Sequence, residues 1–266
     1  MTRGDDVQTA RAAAFRALHE GEPFVIPNPW DAGSAKVLAA LGFKALATTS
    51  SGFAHTLGRA DGAASLDEVI AHARALCAAT DLPVSIDLED GHGPAPGDAA
   101  LAIARAVDAG AAGGSIEDYD PREGRLYDRV EAAERVAAAV QAASGELVLT
   151  ARAENHIRGN PDLDDTIARL QAYEAAGADV LYAPGLRSAE AIAAVRAAVG
   201  KPLNVLALPG MSLAEVIAAG AQRISVGGGL AWAAVNGMIA AARELRDGTV
   251  PAAIAAPPEL HDWLGP

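Results

Sequence analysis

The stretch SIDLEDGHG, residues 85–93, ends an apolar run with three carboxylates and two glycines. Alternate side chains of a strand point to opposite faces, so Asp87 and Glu89 share one face and Asp90 falls in the glycine loop. Carboxylates packed this closely raise one another's pKa and lose hydration unless a cation compensates them. Carboxylate oxygens are ligands that favour Mg²⁺ over zinc, and Mn²⁺ is the second choice. A carboxylate network without metal is the structural alternative.

Other apolar runs also end in polar residues that could join this site. Glu117 in GGSIED would add a third carboxylate to the metal, and Arg152 in LTARAEN carries a fixed fork that suits a carboxylate or a phosphonate. For Arg152, an ion pair with Glu117 or Glu154 is the alternative. The remaining candidates are Ser51, Gly52 and Asp61 after the second run and Asn204 in the seventh.

The elements that would bring these residues together are short apolar runs alternating with alanine-rich, helix-periodic stretches. This alternation is typical of a parallel sheet with crossover helices. Eight such runs predict an α/β fold of the TIM (β/α)8 barrel type, whose active site lies at the carboxyl ends of the strands. The predicted strands are residues 24–27, 45–49, 84–88, 114–118, 147–152, 180–183, 203–207 and 223–227.

Helices are predicted between the strands. They include residues 65–79, 97–109, 126–143, 162–176 and 188–199. Ser65, Asp162 and Ser188 precede three of them as capping residues. An extra helix over about residues 5–19 is expected to close the bottom of the barrel. With no linker or composition break, residues 1–266 are predicted to form one domain, whose C-terminal extension packs on a neighbouring subunit.

Composition narrows the functional classes. The chain has 21 basic and 34 acidic residues, a formal net charge of −13, which argues against nucleic acid and anionic membranes as partners. One cysteine excludes an internal disulfide, and without a signal peptide or a long apolar run we expect a cytoplasmic protein. Its three lysines, Lys36, Lys44 and Lys201, lie away from the predicted strand ends, which argues against a Schiff-base aldolase. Enolate chemistry would then need a metal.

Six motifs together resemble the isocitrate lyase/phosphoenolpyruvate mutase superfamily. They are NPWDAGSAKVLAALGFKALATTSSG, SIDLEDGHG, GGSIED, LTARAEN, PLNVLALPG and RISVGGGLAWAA. The resemblance covers about residues 20 to 245 and implies a TIM-like barrel with its eighth helix swapped between subunits. It also implies a homotetramer built as a dimer of dimers, a bound Mg²⁺, and cleavage or formation of a C–C or P–C bond next to a 2-oxo or 2-hydroxy acid.

The resemblance also implies a role for each metal-site residue. Asp87 is similar to the principal metal ligand, with Glu89 and Glu117 completing the site mostly through water. Asp61 resembles the carboxylate that reaches the water shell of the metal from the loop after the second strand, and it joins the catalytic candidates.

The substrate-binding roles follow from the same resemblance. Ser51 and Gly52 are similar to the hydroxyl and backbone donors that hold the substrate carboxylate. Arg152 resembles the arginine that binds the second acidic group or the 2-oxo acid, and Asn204 matches a substrate-contacting asparagine. The implied substrate is a small carboxylate.

The loop after the fourth strand departs from the family. Isocitrate and methylisocitrate lyases carry a K[KR]CGH loop with a catalytic cysteine, and the mutases and hydrolases carry a lysine; EDYDPREGRLYDRVEAAERV has neither. The chain therefore resembles a phosphonomutase-like branch without the lyase loop. Tyr119 could act there as an acid, with packing as its alternative role.

Four functions stay open at this point. The first is a Mg²⁺-dependent lyase that forms a 2-oxo acid through a pyruvate-type enolate, of the methylisocitrate lyase or oxaloacetate decarboxylase kind. The second is a mutase or hydrolase of the P–C bond of phosphonopyruvate. The third is a barrel that grips a phosphate ester with GGGLA, residues 227–231. The fourth is a family member that binds metal without turnover.

Overall fold

A computed structural model describes residues 3–264 and contains an eight-stranded parallel sheet. The strands are β1 (Phe24–Ile26), β2 (Leu46–Ala47), β3 (Val84–Asp87), β4 (Gly113–Glu117), β5 (Tyr119–Asp120), β6 (Arg125–Leu126), β7 (Val148–Arg152), β8 (Val180–Tyr182), β9 (Leu203–Leu206) and β10 (Arg223–Ser225). The sheet order is β1-β10-β9-β8-β7-β4-β3-β2, while β5 and β6 pair separately as an antiparallel hairpin.

The sheet curls until its two edge strands approach each other. The Ala47 N–H donates to the carbonyl of Pro27 at 3.1 Å, and the Asn28 side-chain amide donates to the carbonyl of Thr48 at 3.1 Å. These bonds link the end of β1 to β2 and nearly close the barrel. The predicted TIM-like barrel and its eight strands are confirmed; the β5–β6 hairpin was not predicted.

Helices follow the strands around the barrel. They are α1 (Arg3–Glu20), α2 (Ala32–Ala40), α3 (Ser50–Thr56), α4 (Leu66–Ala79), α5 (Pro96–Asp108), α6 (Arg129–Ala143), α7 (Leu163–Ala175), α8 (Ala189–Ala198), α9 (Leu213–Ala218), α10 (Gly229–Arg246) and α11 (Leu260–Leu264), with 3₁₀ turns at Asn155–Arg158 and Ala252–Ile254. Ser65, Asp162 and Ser188 cap α4, α7 and α8 as predicted. Helix α6 starts later than predicted because Asp128 accepts from its first free N–H groups.

Helix α1 closes the bottom of the barrel, as predicted. Its Phe15 is fully buried in an apolar cluster with residues from the starts of several strands. Apart from Phe15, the cluster contains Phe24, Ile26, Ala45, Ala112, Val148 and Val180. This apolar floor leaves the opposite, carboxyl end of the barrel for polar residues.

The last long helix, α10, stands apart from this packing. Only Ala231 of this helix is buried, and Trp232, Met238, Ile239 and Leu245 are exposed. The chain then returns, and α11 packs against α2 of the same chain, so the end of the predicted extension contacts its own barrel. No helix in residues 3–264 is both long and apolar enough to cross a membrane.

His19 makes the stability of the fold sensitive to acid. Burial and the nearby Arg223 lower the pKa of His19 from 6.5 to about 3, and the ring contacts the carbonyl of Phe15 at 2.8 Å. Below pH 6.5 the unfolded chain binds a proton that the folded chain excludes, so stability falls as the pH falls toward 3. Between pH 6.5 and pH 5 this histidine should cost about 2 kcal/mol of unfolding free energy.

Urea unfolding of wild type and His19→Gln at both pH values measures this effect. In His19→Gln the unfolding free energy should no longer fall by this amount between the two pH values. In His261→Gln, which changes an exposed residue of α11, the fall should be the same as in wild type. Equal pH dependence in wild type and His19→Gln would contradict a buried neutral His19.

Candidate active site

A cavity of about 230 Å³ opens at the carboxyl ends of the strands. Its walls include five of the predicted site residues, namely Ser51, Asp61, Asp87, Arg152 and Asn204. Residues from all eight barrel strands or the loops that follow them line it, as the barrel rule requires. The structure therefore gathers most of the predicted site in one pocket.

Asp87 is the carboxylate that the backbone fixes most firmly. It is the last residue of β3, and its own N–H donates to the Thr48 hydroxyl at 2.8 Å. Its carboxylate accepts from the Ser50 N–H at 3.3 Å and the Ser115 hydroxyl at 3.4 Å. The side chain is 15% exposed, so the carboxylate is held in place and still reaches the cavity.

Arg152 lies among three carboxylates. Its guanidinium nitrogens are 2.8 Å from Asp87, 3.0 Å from Glu117 and 2.9 Å from Glu154. Arg158 approaches Glu117 at 3.4 Å and Glu154 at 3.5 Å from the side. Arg152 therefore forms the ion pairs with Glu117 and Glu154 that were the alternative to a substrate-binding role. Its binding of a substrate stays a prediction.

The site holds more negative charge than its arginines balance. Burial, and then repulsion from Asp87, Asp61 and Asp90, raises the pKa of Glu89 to about 8. Burial also raises the pKa of Glu117 well above its usual value, and the neighbouring Glu154 adds to the rise. A further cation would relieve this repulsion.

The carboxylates fit Mg²⁺ as a partly hydrated ion. Within residues 3–264 no three His, Cys, Asp or Glu side chains converge as a ready metal cage. Mg²⁺ keeps several waters and is usually held by one or two carboxylates directly. Asp87 suits a direct ligand, with Glu89 and Asp61 close enough to repel one another and to act through water. Glu117 faces Arg152 and Arg158, so its predicted place in the metal site remains untested.

Asp90 lies in the glycine loop, as predicted, and points away from the cavity; β3 ends at Asp87, and Glu89 begins the turn with a φ of +51°. Its carboxylate pairs with the Arg122 guanidinium and accepts from the Tyr127 hydroxyl at 3.3 Å. Residues 119–127, which include the first two residues of the predicted helix 126–143, are thereby tied to the glycine loop after β3. Gly91 allows the turn because its φ is +84° and a Cβ there would lie 2.7 Å from the Ala99 backbone.

Arg135 holds the same glycine loop from below. It is 1% exposed and donates to the carbonyls of Asp90, Gly93 and Pro94, and it lies over the Tyr127 ring at 4.3 Å. Arg135→Met removes the donor from three carbonyls, two of them on the buried residues Asp90 and Gly93, so we expect about 3 kcal/mol lower unfolding free energy. Chemical denaturation measures this change in unfolding free energy. If Arg135→Met lost no more stability than Arg129→Met, which changes an exposed residue of α6, Arg135 would not hold the glycine loop.

Two predicted residues have other duties in the structure. The Gly52 N–H donates to the Thr49 hydroxyl as part of the α3 cap, and a Cβ on Gly52 would lie 2.6 Å from the Thr49 methyl. Gly52 therefore shapes the packing under α3, and Ser50 supplies the N–H that points to Asp87. Tyr119 stacks under the Arg158 guanidinium at 3.8 Å and does not line the cavity, which fits the packing alternative.

Three cavity residues on β8 and β10 are among those that escaped the sequence analysis. Tyr182, Arg223 and Ser225 line the pocket from β8 and β10. The Tyr182 ring lies 5.3 Å from the Arg152 guanidinium, and burial raises its pKa to about 12. Alternation along VLYA and RISVG, the rule applied to β3, would have placed all three on the inner face.

The glycines after β10 serve close packing. Gly227 and Gly228 line the cavity, and α10 begins at Gly229. A Cβ on Gly228 would lie 2.6 Å from Trp232 Nε1 and 2.8 Å from the Ser51 hydroxyl. Tight contact between α3 and α10 accounts for Gly228 without a phosphate.

Comparisons with known proteins agree with this geometry. A sequence model of the family described as phosphoenolpyruvate phosphomutase matches residues 15–246. An oxaloacetate decarboxylase of Rhodopseudomonas palustris strain HaA2 is 33% identical over 271 residues, covering 95% of this chain and 91% of the relative.

Solved structures share the whole architecture. A crystal structure from Burkholderia cenocepacia J2315, named as a candidate lyase or mutase, superposes with a TM-score of 0.93 at 51% identity, covering 97% of both chains. An oxaloacetate acetylhydrolase in complex with its product oxalate superposes with a TM-score of 0.87 at 28% identity, covering 97% of this chain and 94% of the other. The chain belongs to the phosphoenolpyruvate phosphomutase family, within the isocitrate lyase/phosphoenolpyruvate mutase superfamily that its motifs resemble.

Proposed function

We propose that this chain is a Mg²⁺-dependent carbon–carbon lyase acting next to a 2-oxo or 2-hydroxy carboxylate through a pyruvate-type enolate. The observation that carries the proposal is Asp87, fixed by backbone and hydroxyl donors at the edge of a pocket with surplus carboxylates. Relatives named as oxaloacetate decarboxylase and oxaloacetate acetylhydrolase support it, since both names denote cleavage of a C–C bond beside a 2-oxo group.

The pocket offers groups for each part of such a reaction. Asp87 would hold the cation, with Glu89 and Asp61 around its water shell. A bound Mg²⁺ supplies Lewis-acid polarisation of the substrate carbonyl and carboxylate. Ser51 and the Ser50 backbone lie at the pocket wall as hydrogen-bond donors, and Arg152 and Asn204 face the same space. None of the pocket-lining residues in the described part of the chain is lysine, so a Schiff base has no nucleophile there.

The second candidate is P–C bond chemistry on phosphonopyruvate. The match to the phosphoenolpyruvate phosphomutase family favours it. The segment after β4 carries no lysine, and its hairpin is tied to Asp90 through Arg122 and Tyr127. We therefore place C–C cleavage first.

The assay that tests the proposal measures 2-oxo acid release from methylisocitrate, oxaloacetate, dimethylmalate and phosphonopyruvate with Mg²⁺ and with EDTA. Release from a C–C substrate that stops with EDTA supports a lyase, and turnover of phosphonopyruvate alone supports the second candidate. Mg²⁺ binding without turnover of any of the four would contradict the lyase proposal and favour a non-catalytic family member.

We also propose that a second copy of the chain covers α10 in a tetramer built as a dimer of dimers. The helix leaves Trp232, Met238 and Ile239 exposed, whereas the other long helices bury an apolar face. Light scattering on wild type and Met238→Asp tests this: wild type should be a multiple of the monomer mass, and the variant should dissociate. A monomeric wild type would contradict it.

A further inference from the structure

The floor of the cavity carries a second buried arginine. Arg223 is the first residue of β10, its side chain points into the barrel, and it is only 5% exposed. It lines the pocket together with Ile26 and Ser85, which lie deeper than the carboxylates at the mouth. Arg223 therefore faces the deep end of the space that a substrate would enter.

The partners of Arg223 are all neutral. Its Nε donates to the Asn204 side-chain oxygen at 2.8 Å, one terminal nitrogen donates to the Thr150 hydroxyl at 3.0 Å, and the other contacts His19 Nε2 at 3.2 Å. A guanidinium has five N–H donors, so these contacts leave two uncommitted. Its orientation is fixed while part of its donor capacity stays free.

The charge of Arg223 is uncompensated. Arg152 has three carboxylates within 3.0 Å, but no carboxylate of the described residues lies within 4.0 Å of Arg223. Burial lowers its pKa to about 10, so the group remains cationic at neutral pH. A buried cation without an anion is costly, and an anionic ligand would remove that cost.

Asn204 is oriented by the same contact. Because its oxygen accepts from Arg223, its amide nitrogen faces the other way and donates to the Ser225 hydroxyl at 3.1 Å. Asn204 also lines the cavity. A cation and an oriented amide thus stand side by side at the floor.

The distance from this floor to Asp87 suits a short di-acid. Arg223 contacts Thr150, Thr150 is the register partner of Ser115, and the Ser115 hydroxyl is 3.4 Å from Asp87. Neighbouring strands are about 4.8 Å apart, so the guanidinium and the Asp87 carboxylate are separated by about 11 Å or less. A four-carbon di-acid can place one carboxylate near each end.

We propose that Arg223, with the Asn204 amide beside it, binds the second carboxylate of a dicarboxylic substrate whose first carboxylate lies at the Asp87 end. The inference rests on the proposed function and narrows its substrate class to di-acids. Arg152, held among the carboxylates of the mouth, would bind the acidic group at the Asp87 end, and Arg223 would bind the carboxylate at the far end of the substrate.

Malate and lactate test this assignment because they differ by one carboxylate. With Mg²⁺ present, calorimetry should show wild type binding malate at least about 10-fold more tightly than lactate. In Arg223→Gln the malate affinity should fall by about 10-fold or more, to the level of lactate, while the lactate affinity changes less than about twofold. Thr150→Val, which removes a neutral partner of the same guanidinium outside the cavity, should keep the preference for malate.

Each other outcome overturns the assignment. A preference for malate that survives in Arg223→Gln shows that another residue reads the second carboxylate. Equal losses for malate and lactate, with unchanged Mg²⁺ binding, show that Arg223 only supports the fold. If neither acid binds wild type in the presence of Mg²⁺, the proposed function fails, and the di-acid assignment falls with it.

Discussion

Asp87→Asn should abolish turnover, with a loss in kcat/KM of about 1000-fold or more. Asparagine keeps the size of the side chain and can still accept from the Ser50 N–H and the Ser115 hydroxyl, which bond Asp87 at 3.3 and 3.4 Å. It lacks the charge that a divalent cation needs from its direct ligand. Losing the metal removes about 4 kcal/mol of stabilisation of the developing enolate. Steady-state kinetics and a Mg²⁺ titration measure the two effects together.

Asp90→Asn is the matched control, three residues further along the chain in the loop after β3. Asp90 pairs with Arg122 and Tyr127 away from the cavity, so this variant should lose stability and keep Mg²⁺ affinity. Its folded form should keep kcat/KM within about fivefold of wild type. A larger loss of turnover in Asp90→Asn than in Asp87→Asn would contradict the assignment of the two carboxylates.

Arg152→Lys should lower kcat/KM by about 100-fold or more while leaving Mg²⁺ affinity near that of wild type. Lysine keeps one positive charge among Asp87, Glu117 and Glu154 but cannot reach all three, as the guanidinium does at 2.8 to 3.0 Å. It also loses the planar fork that binds a carboxylate in two places. The substitution therefore separates the binding of an acidic group from the binding of the metal.

Arg158→Lys is the control for Arg152. Arg158 touches Glu117 and Glu154 at 3.4 and 3.5 Å and is one-third exposed, so its replacement should change kcat/KM less than about fivefold. If Arg152→Lys weakened Mg²⁺ binding as much as Asp87→Asn, Arg152 would act only by arranging the carboxylates. Retention of more than about a third of the activity would exclude a direct role in binding substrate.

The barrel was predictable because its signals are local and repeated. Each strand is a short apolar run, and the capping residues Ser65, Asp162 and Ser188 mark the starts of three helices. The β5–β6 hairpin was not, because its strands are two residues long and are fixed by Asp90, which is distant in sequence. The exposure of α10 likewise depends on packing that no periodicity in the chain expresses.

The part of the site that was predicted is the part that follows from the alternation of side chains along single strands. Alternation separates Asp87 and Glu89 from Asp90, and the structure places Asp90 against Arg122 and Tyr127. It does not reveal that Arg152 would lie among three carboxylates, since those come from the ends of three strands, β3, β4 and β7, that are joined only in space. Arg223 was missed because we applied the rule to strand ends, and this residue begins its strand.

Hydrogen exchange at the methyl group of pyruvate in D₂O tests the central claim, enolate stabilisation at Asp87, without knowledge of the natural substrate. A site that stabilises a pyruvate-type enolate should catalyse this exchange in the presence of Mg²⁺, and proton NMR follows the loss of the methyl signal. We expect exchange well above the rate with Mg²⁺ alone, abolished by EDTA and by Asp87→Asn. Saturating binding of pyruvate with no exchange above that background would contradict the account.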